Sequence, residues 1–573
     1  MYKSTQSQLF LPTSLKEAHD LGYSELDVIL ISADAYVDHP AFASAVIGRF
    51  LQSLGLRVGI IPQPDWRGTE DFSRLGRPKL FFGVSSGNLD SMLALYTPQR
   101  KIRSDDPYSE SGLPGRRPYL PTVVYTNRLK EVYNDVPVII GGIEASLRRV
   151  SHYDFYQDKV RPSILLDSKA DLLVYGNGEA PLRDIISLIH KGIAITDMKN
   201  IRGTAVPIRQ REKSQITDAL ILPSHEEVKS DHASFSRMTK ILHHNINPHK
   251  ASSLYQDMGT RGVLINPPQF PLTEAELDSI YGLPYQRLAH PMYQNDIPAL
   301  RVVEQSITAH RGCYGGCGFC AIYLHQGKTI QSRSPESIKN EALQIARQNK
   351  KPAVITDIGG PSANMYRTFC RDKKREAVCQ RPSCIFPSLC KHLETSSRDY
   401  LKVLESVESL SNVKNVYINS GIRYDLALEN PDFIKRLAER HTQGQLSVAP
   451  EHVDDKILKL MYKPKHQYFE DFIDHYRAIS ERSGKSQFIV PYFIVGHPGA
   501  TGRSDEKILT FLKGRKLQVK QIQEFCPTPM TLATSIYHTG HHPMTGKPIP
   551  SEKKLGQKKK IKEKIINSNS IMN

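Results

Sequence analysis

The segment His310-Arg-Gly-Cys313-Tyr-Gly-Gly-Cys317-Gly-Phe-Cys320 constrains this chain more than any other. Its spacing, C-x3-C-x2-C, lets three thiolates converge on one metal centre, and the interleaved glycines let the backbone wrap closely around it. Whatever the fold, it must present this loop where three sulfurs can meet. Three ligands rather than four is the informative number, because a closed structural site fills every position and a reactive one leaves one open. A [4Fe–4S] cluster held by Cys313, Cys317 and Cys320 keeps one iron free for another ligand. A zinc site draws instead on paired C-x2-C elements and a fourth ligand. The adjacent glycines argue against three thiols packed in an apolar core.

The rest of the composition sets the frame. At 573 residues the chain exceeds one core, and two or three domains are expected. No run of 18 or more apolar residues occurs, so no membrane span is expected. The start, Met1-Tyr-Lys-Ser-Thr-Gln-Ser-Gln, lacks the apolar stretch of a leader. Seven of the eight cysteines lie between Cys313 and Cys390, which argues for metal ligation in a reducing cytoplasm rather than a disulfide framework. The formal charge of +17 is uneven. From Lys547 to Asn573 eight Lys face two Glu, giving +6, so +11 is spread over the remaining residues. A lysine run of this kind reads as a solvated tail, and nucleic-acid binding is only a weak expectation.

Apolar runs alternate with helical patterns in the first part. Candidate strands are Asp27–Ser32, Arg57–Ile61, Lys79–Gly83, Pro137–Gly141 and Asp171–Tyr175, with a helix over Ala41–Leu54. Such continuous runs imply a parallel sheet covered on both faces, hence a doubly wound α/β domain over residues 1–225. Ligands of such domains lie past the carboxyl ends of the strands, where Gly141–Ala145 and Gly176–Ala180 fall. Residues 226–298 are polar, then proline-rich, and read as a connector. Residues 299–541 repeat strand and helix again, with strands Ser306–Ala309, Ala353–Ile358, Val413–Asn419, Leu446–Ala449, Phe488–Val495 and Gln518–Phe525. Helices are expected over Pro335–Gln348, Pro431–His441 and Gln467–Arg482. Repeated βα units suggest a barrel, with chemistry on the loops at the carboxyl ends of its strands. Residues 542–573 read as a basic, disordered tail.

The cysteine spacing, with Phe319 before the third cysteine, resembles the radical S-adenosylmethionine (SAM) enzymes. That resemblance implies a partial (βα)6 TIM-like barrel and two cofactors, a [4Fe–4S] cluster on Cys313, Cys317 and Cys320, and SAM chelated by the open iron. It also implies reductive cleavage of SAM to methionine and a 5′-deoxyadenosyl radical, fed by an electron donor such as flavodoxin or ferredoxin. Four further positions are candidates for holding SAM. Gly359 and Gly360 form a turn suited to its amino-acid end, although Pro361 stands where the family's motif carries an acid. Arg423 either clamps the SAM carboxylate or pairs with Asp425. Ser447 or Glu451 either meets the ribose or, for Glu451, caps a helix. Gly496 and Pro498, in Gly496-His-Pro-Gly499-Ala-Thr501, resemble the family's GxPGxT turn. His310, Arg311, Lys328, Ser332 and Arg333 flank the cysteine loop. Many relatives carry a cobalamin-binding domain ahead of the barrel, and the first domain is cobalamin-binding-like in shape. Its nearest approach to the cobalt-ligating motif, Asp38-His39-Pro40, lacks the usual spacing and glycine.

A second set, Cys370, Cys379, Cys384 and Cys390, has spacing C-x8-C-x4-C-x5-C in a basic, turn-rich segment. Four thiolates there suit structural zinc or an auxiliary iron–sulfur cluster, with His392 a lesser candidate. Cys526 reads as a packed strand-end residue. Together, His310–Ile322, Gln326–Ser334, Asp357–Tyr366, Ser420–Asp425, Ala449–His452 and Glu524–Gly540 resemble the YgiQ family of radical SAM proteins. Members usually continue past the barrel, so a truncated or frame-shifted end is expected here. The family resemblance leaves the substrate open. Methylthiotransferase-like modification of RNA or protein, and a non-catalytic iron–sulfur protein, remain alternatives.

Overall fold

The computed structural model describes residues 9–348, 351–519 and 521–570. The opening octapeptide and the last three residues of the expected tail lie outside them. The chain divides into two compact units. One holds the described parts of Met1–Ile241, Pro248–Phe270 and Ser279–Glu304, and the other Leu242–Asn247, Pro271–Asp278 and the described parts of Gln305–Asn573. The expected connector is therefore shared between the two units.

The first unit is built on a nine-stranded sheet. Its strands are β1 (Val28–Ser32), β2 (Val58–Pro62), β3 (Phe81–Ser85), β4 (Val138–Gly141), β5 (Leu172–Val174), β6 (Thr204–Arg209), β7 (Leu220–Ile221), β8 (Leu254–Asp257) and β9 (Arg261–Ile265). The order is β7-β8-β9-β6-β5-β4-β3-β1-β2. The block β2-β1-β3-β4-β5 is parallel, as the continuous apolar runs require, and every residue of β1 and β2 is buried. Beyond β5 the sheet departs from the expected all-parallel pattern, since β6, β9 and β8 pair antiparallel. Two of these strands come from the expected connector. Their apolar runs are short and were outweighed by the polar and proline-rich residues around them.

The carboxyl ends of the parallel strands are filled by charge. Arg117, fully buried, reaches Asp34 at 3.0 Å and Asp106 at 2.7 Å, and Arg148 pairs with Asp90. Gly87, at φ +87°, passes so close that a β-carbon would lie 2.2 Å from the Asp34 carboxylate. His39 is buried, and its Nδ1 accepts the Ala41 N–H at 3.0 Å.

The second unit carries six strand positions in chain order. These are β10 (Ser306–Thr308), a second split into β11 (Ala353–Ile355) and β12 (Asp357–Gly359), β13 (Val413–Val416), β14 (Gln445–Glu451), β15 (Phe488–Val495) and β16 (Ile522–Glu524). β10 pairs with β12, β11 with β13, and β14-β15-β16 form a row, all parallel. This is the succession of a partial (βα)6 barrel. The strand expected over Gln518–Phe525, of which Lys520 lies outside the described residues, is confined to β16. Helices α1 (Pro335–Gln348), α2 (Arg398–Glu408) and α3 (His466–Arg482) cover the outside. Their buried stripes repeat at i, i+3, i+4 and i+7, as in Tyr400, Val403, Leu404 and Val407 of α2.

The basic tail is not disordered along its described length. Leu555–Ser570 forms a helix, α5, that packs on α4 (Gly502–Arg515), β15 and β16. Lys558, Ile561 and Ile565 recur at i, i+3 and i+7, and Lys558 and Ile565 are buried. The lysine count hid this stripe.

Arg117 supplies the first prediction. Burial pushes the Asp34 carboxyl up to about 6, with Arg117 opposing the rise. Arg117→Met leaves two buried carboxylates uncompensated, at a cost of about 3–5 kcal/mol. A carboxyl whose folded pKa exceeds its unfolded value loses stability as pH rises through that interval. Thermal melts should therefore show a larger loss for the variant at about pH 8 than at about pH 5. Equal losses at both would contradict this account.

Candidate active site

Chain geometry places the cysteine loop at the carboxyl end of β10. His310 and Arg311 pair briefly with Ser332 and Gln331. Gly312 then turns at φ +88°, where a β-carbon would lie 2.1 Å from the Thr329 carbonyl. The Cys313 N–H donates to the Gly327 carbonyl at 3.1 Å, Gly318 N–H to Met461 O at 2.9 Å, and Cys320 N–H to Cys317 O at 3.0 Å. A β-carbon at Gly315 would sit 3.3 Å from Cys313 Sγ and 3.9 Å from Cys317 Sγ, so these two sulfurs face one point. All three thiols are half-buried. Burial and then the neighbouring Cys317 push Cys313 up to about 11, and burial, Cys317 and Cys313 raise Cys320 as well. Cys317 thus lies close enough to oppose the ionisation of both Cys313 and Cys320. Among the described residues no three His, Cys, Asp or Glu side chains stand at the spacing of a single metal ion. Three cysteines on one glycine-rich loop, two of their sulfurs facing one point, fit a cluster with three protein ligands.

The other strand ends close on this loop. Arg423, after β13, is buried and makes a two-pronged pair with Asp425, Nε to Oδ1 at 2.9 Å and Nη2 to Oδ2 at 2.7 Å. Its remaining Nη1 lies 3.6 Å from Cys317 Sγ. Of the two expected roles the structure shows the Asp425 pairing, and it adds a contact to a cluster cysteine. Burial alone would raise the Asp425 carboxyl, but Arg423 and then Lys463 hold it below its usual value. Glu451 ends β14 at φ +71° across an irregularity in the β14–β15 register. Burial raises its carboxyl against the pull of Lys463, 3.9 Å away, and Arg423. Its charge is among those raising Cys320, which marks it as a neighbour of the loop. Ser447 sits instead within β14, opposite Val490, away from the strand end.

The two later motifs are joined by one carboxylate. Asp505 accepts from Gly496 N–H at 3.0 Å and faces His452 Nε2 at 3.0 Å, while His452 Nδ1 accepts the Asp454 N–H at 2.9 Å. His497, between Gly496 and Pro498, is fully buried, and burial pushes its pKa down to about 3. Its ring meets Phe319 of the cysteine loop edge-on at 6.3 Å and Phe525 at 5.1 Å. A β-carbon at Gly496 would lie 2.8 Å from the stem of Lys558, so α5 packs directly on this turn.

Residues 10–306 match the family described as Radical SAM N-terminal, and residues 307–512 match the Radical SAM superfamily. A UPF0313 protein of Geobacter sulfurreducens is 47% identical over 540 residues, covering 94% of this chain and 89% of its own. The UPF0313 protein YgiQ of Salmonella typhimurium is 41% identical over 592 residues, covering 93% and 82%. This chain belongs to the UPF0313 (YgiQ) family of radical SAM proteins. In fold it is similar to the radical SAM methyltransferase TsrM of Kitasatospora setae, solved with tryptophan and a SAM analogue, at a TM-score of 0.50 and 13% identity, over 88% of this chain and 75% of that one. Membership makes it an iron–sulfur enzyme whose cofactors are a [4Fe–4S] cluster and SAM. No helix among the described residues is long and apolar enough to cross a membrane.

Within this UPF0313 protein the glycine turn has a steric reason as well as a functional one. A β-carbon at Gly359 would lie 1.9 Å from Ser420 Oγ, and one at Gly360 2.5 Å from the His310 ring. Asp357 fixes the turn by accepting from Asn419 N–H at 2.8 Å and Ser420 N–H at 3.0 Å. Burial pushes His310 down to about 4, opposed only by the Ser362 backbone, so the ring is neutral. Neither ring nitrogen makes a hydrogen bond of normal geometry among the described residues. Other flanking candidates are spent elsewhere. Lys328 donates to the Arg381 carbonyl, Ser332 Oγ accepts from Arg367 N–H at 2.9 Å, and buried Arg333 pairs with Glu341.

Sequence reasoning missed Lys463, whose Nζ donates to the Ala449 carbonyl at 2.6 Å beside Glu451. Its only local mark is its place after the left-handed Tyr462 that ends a helix, which the sequence does not advertise. Arg423→Ala should leave Asp425 buried and unpaired and lower stability by about 3–5 kcal/mol. Adding Asp425→Ala should recover most of that in thermal melts, yet neither variant should retain wild-type iron, because Cys317 has lost its cation. Full iron retention in the double variant would refute the Arg423–Cys317 role.

Proposed function

We infer that this protein binds a [4Fe–4S] cluster through Cys313, Cys317 and Cys320 and cleaves SAM at the barrel mouth to start a radical reaction on a substrate yet to be identified. The observation that carries the reading is the convergence of three half-buried thiols with Glu451, Arg423 and the Gly496–Gly499 turn at parallel strand ends. When bound, the cluster supplies the electron that breaks a C–S bond of SAM, giving methionine and a 5′-deoxyadenosyl radical. The chain's own residues do the positioning. The Arg423 guanidinium, held by Asp425, offsets the negative charge at Cys317. Glu451, a half-buried acid beside the loop, accepts a hydrogen bond from a hydroxyl or amine of SAM. The backbone at Gly359–Gly360 and Gly496–Pro498 offers amides and carbonyls to its polar ends. Phe319 and His497 wall the loop with rings and limit water. The electron comes from a flavodoxin- or ferredoxin-type donor, and the reaction belongs to a reducing cytoplasm.

Anaerobic reconstitution with iron and sulfide, followed by dithionite and SAM, should yield 5′-deoxyadenosine from the wild type and none above background from Cys313→Ala. Equal product from both would sink the assignment, and bound iron without product would point to a non-catalytic cluster protein. Glu451→Gln should weaken SAM binding roughly tenfold or more, by loss of a charge-assisted hydrogen bond, while leaving the melting curve and iron content near wild type.

A further inference from the structure

Five cysteines take no part in the site described above, and four of them lie in one segment. Cys370, Cys379, Cys384 and Cys390 are all half-buried, and the segment that carries them folds back on itself. Cys370 bridges to Leu393, the Arg371 N–H donates to His392 O at 2.8 Å, and the Glu394 N–H to Phe369 O at 2.8 Å. Inside this closed loop the Cys390 N–H donates to Cys384 O at 2.8 Å. The Asn247 side chain pins the loop's one helix, Lys373–Val378, by donating to Glu376 O at 2.9 Å and Cys379 O at 3.0 Å.

Hydrophobic burial does not account for this closure. Between Cys370 and Glu394 only Ile385 and Leu393 are buried apolar residues, while Val378 is 63% exposed and Leu389 41%. Such a segment requires another source of ordering free energy, and metal–thiolate bonds supply it. The thiols are neighbours of one another. Cys384 and Cys390 are joined through their backbones and pack on one apolar group, and Cys370 closes the same loop opposite Leu393. Two cations lie beside these thiols. Lys328 Nζ donates to the Arg381 carbonyl and feels Cys384 and Cys379, and Arg381 braces the loop through the carbonyls of Ser383 and Ser388.

The loop also rests directly on the first cysteine loop. The Cys384 N–H donates to Tyr314 O at 3.1 Å, and Ser383 Oγ to the same oxygen at 3.3 Å. A β-carbon at Gly316 would lie 2.2 Å from the Pro382 carbonyl, which explains why a glycine stands between the cluster cysteines. Cys313, Cys384 and Cys390 pack on one apolar group that includes Tyr314, Ile385 and Leu393.

We propose that Cys370, Cys379, Cys384 and Cys390 ligate an auxiliary iron–sulfur cluster, seated against the Cys313–Cys320 loop. An all-cysteine set suits such a cluster. The second centre would be a redox group next to the SAM-binding cluster, placed to exchange electrons with it or to meet the substrate.

The test is metal analysis of the full chain, purified and reconstituted anaerobically, in a Cys313→Ala/Cys317→Ala/Cys320→Ala variant. That variant should keep roughly half the wild-type iron and acid-labile sulfide, with the visible absorption of a cluster. Adding Cys384→Ser should abolish most of what remains, while circular dichroism shows the barrel still folded. No iron in the triple variant, or zinc in its place, would overturn the proposal. The first site stands or falls separately, on 5′-deoxyadenosine formation by the wild type.

Discussion

In a half-buried loop of three crowded cysteines, Cys313 and Cys320 resist ionising, and the surrounding structure answers that resistance. A buried thiolate loses hydration, and each neighbour's negative charge adds to the cost. Cys313 and Cys320 both carry this burden, with Cys317 as the shared neighbour. A metal centre removes it by replacing the protons with cations. The protein contributes a smaller offset through Arg423, whose guanidinium is itself fixed by Asp425.

From that constraint the layout of the second unit becomes intelligible. A loop that must hold three thiolates needs a backbone that bends without side-chain obstruction, hence Gly312 against Thr329 and Gly316 against Pro382. It also needs walls that exclude water, and these come from separate strand ends. His497 closes on Phe319, the chain before Lys463 receives the Gly318 amide, and Lys463 stands beside Glu451. A parallel barrel is suited to this, because every strand delivers its loop to the same end. The C-terminal helix adds Lys558 against Gly496, and burial pushes that ammonium down to about 8.

Much of this was legible in the sequence where the signal is local. The cysteine spacing, the glycine turns and the apolar strand runs each occupy a few residues, and helix Pro335–Gln348 and strand Phe488–Val495 lie where the pattern puts them. What depends on distant partners was not legible. Nothing near Lys463 or Asp505 announces that one supports Glu451 and the other joins two motifs. Strands Leu254–Asp257 and Arg261–Ile265 were hidden because composition was averaged over a long polar segment, although Gly259 between them is the turn of a hairpin. The lysine-rich end misled for a similar reason. Counting charge obscured the spacing of Lys558, Ile561 and Ile565, which is what decides whether a helix can dock. Arg423 admits two readings from sequence alone, since a sequence cannot say which acid an arginine meets first.

The central claim is that SAM binds the iron that the three cysteines leave open. Electron–nuclear double resonance on the reduced, reconstituted protein with SAM labelled at its amino nitrogen and carboxylate tests it most directly. The account predicts couplings from both labels to the cluster in wild-type protein, and a [4Fe–4S] signal that shifts when SAM is added. A reduced cluster whose spectrum is unchanged by SAM, with no coupling to either label, would contradict it.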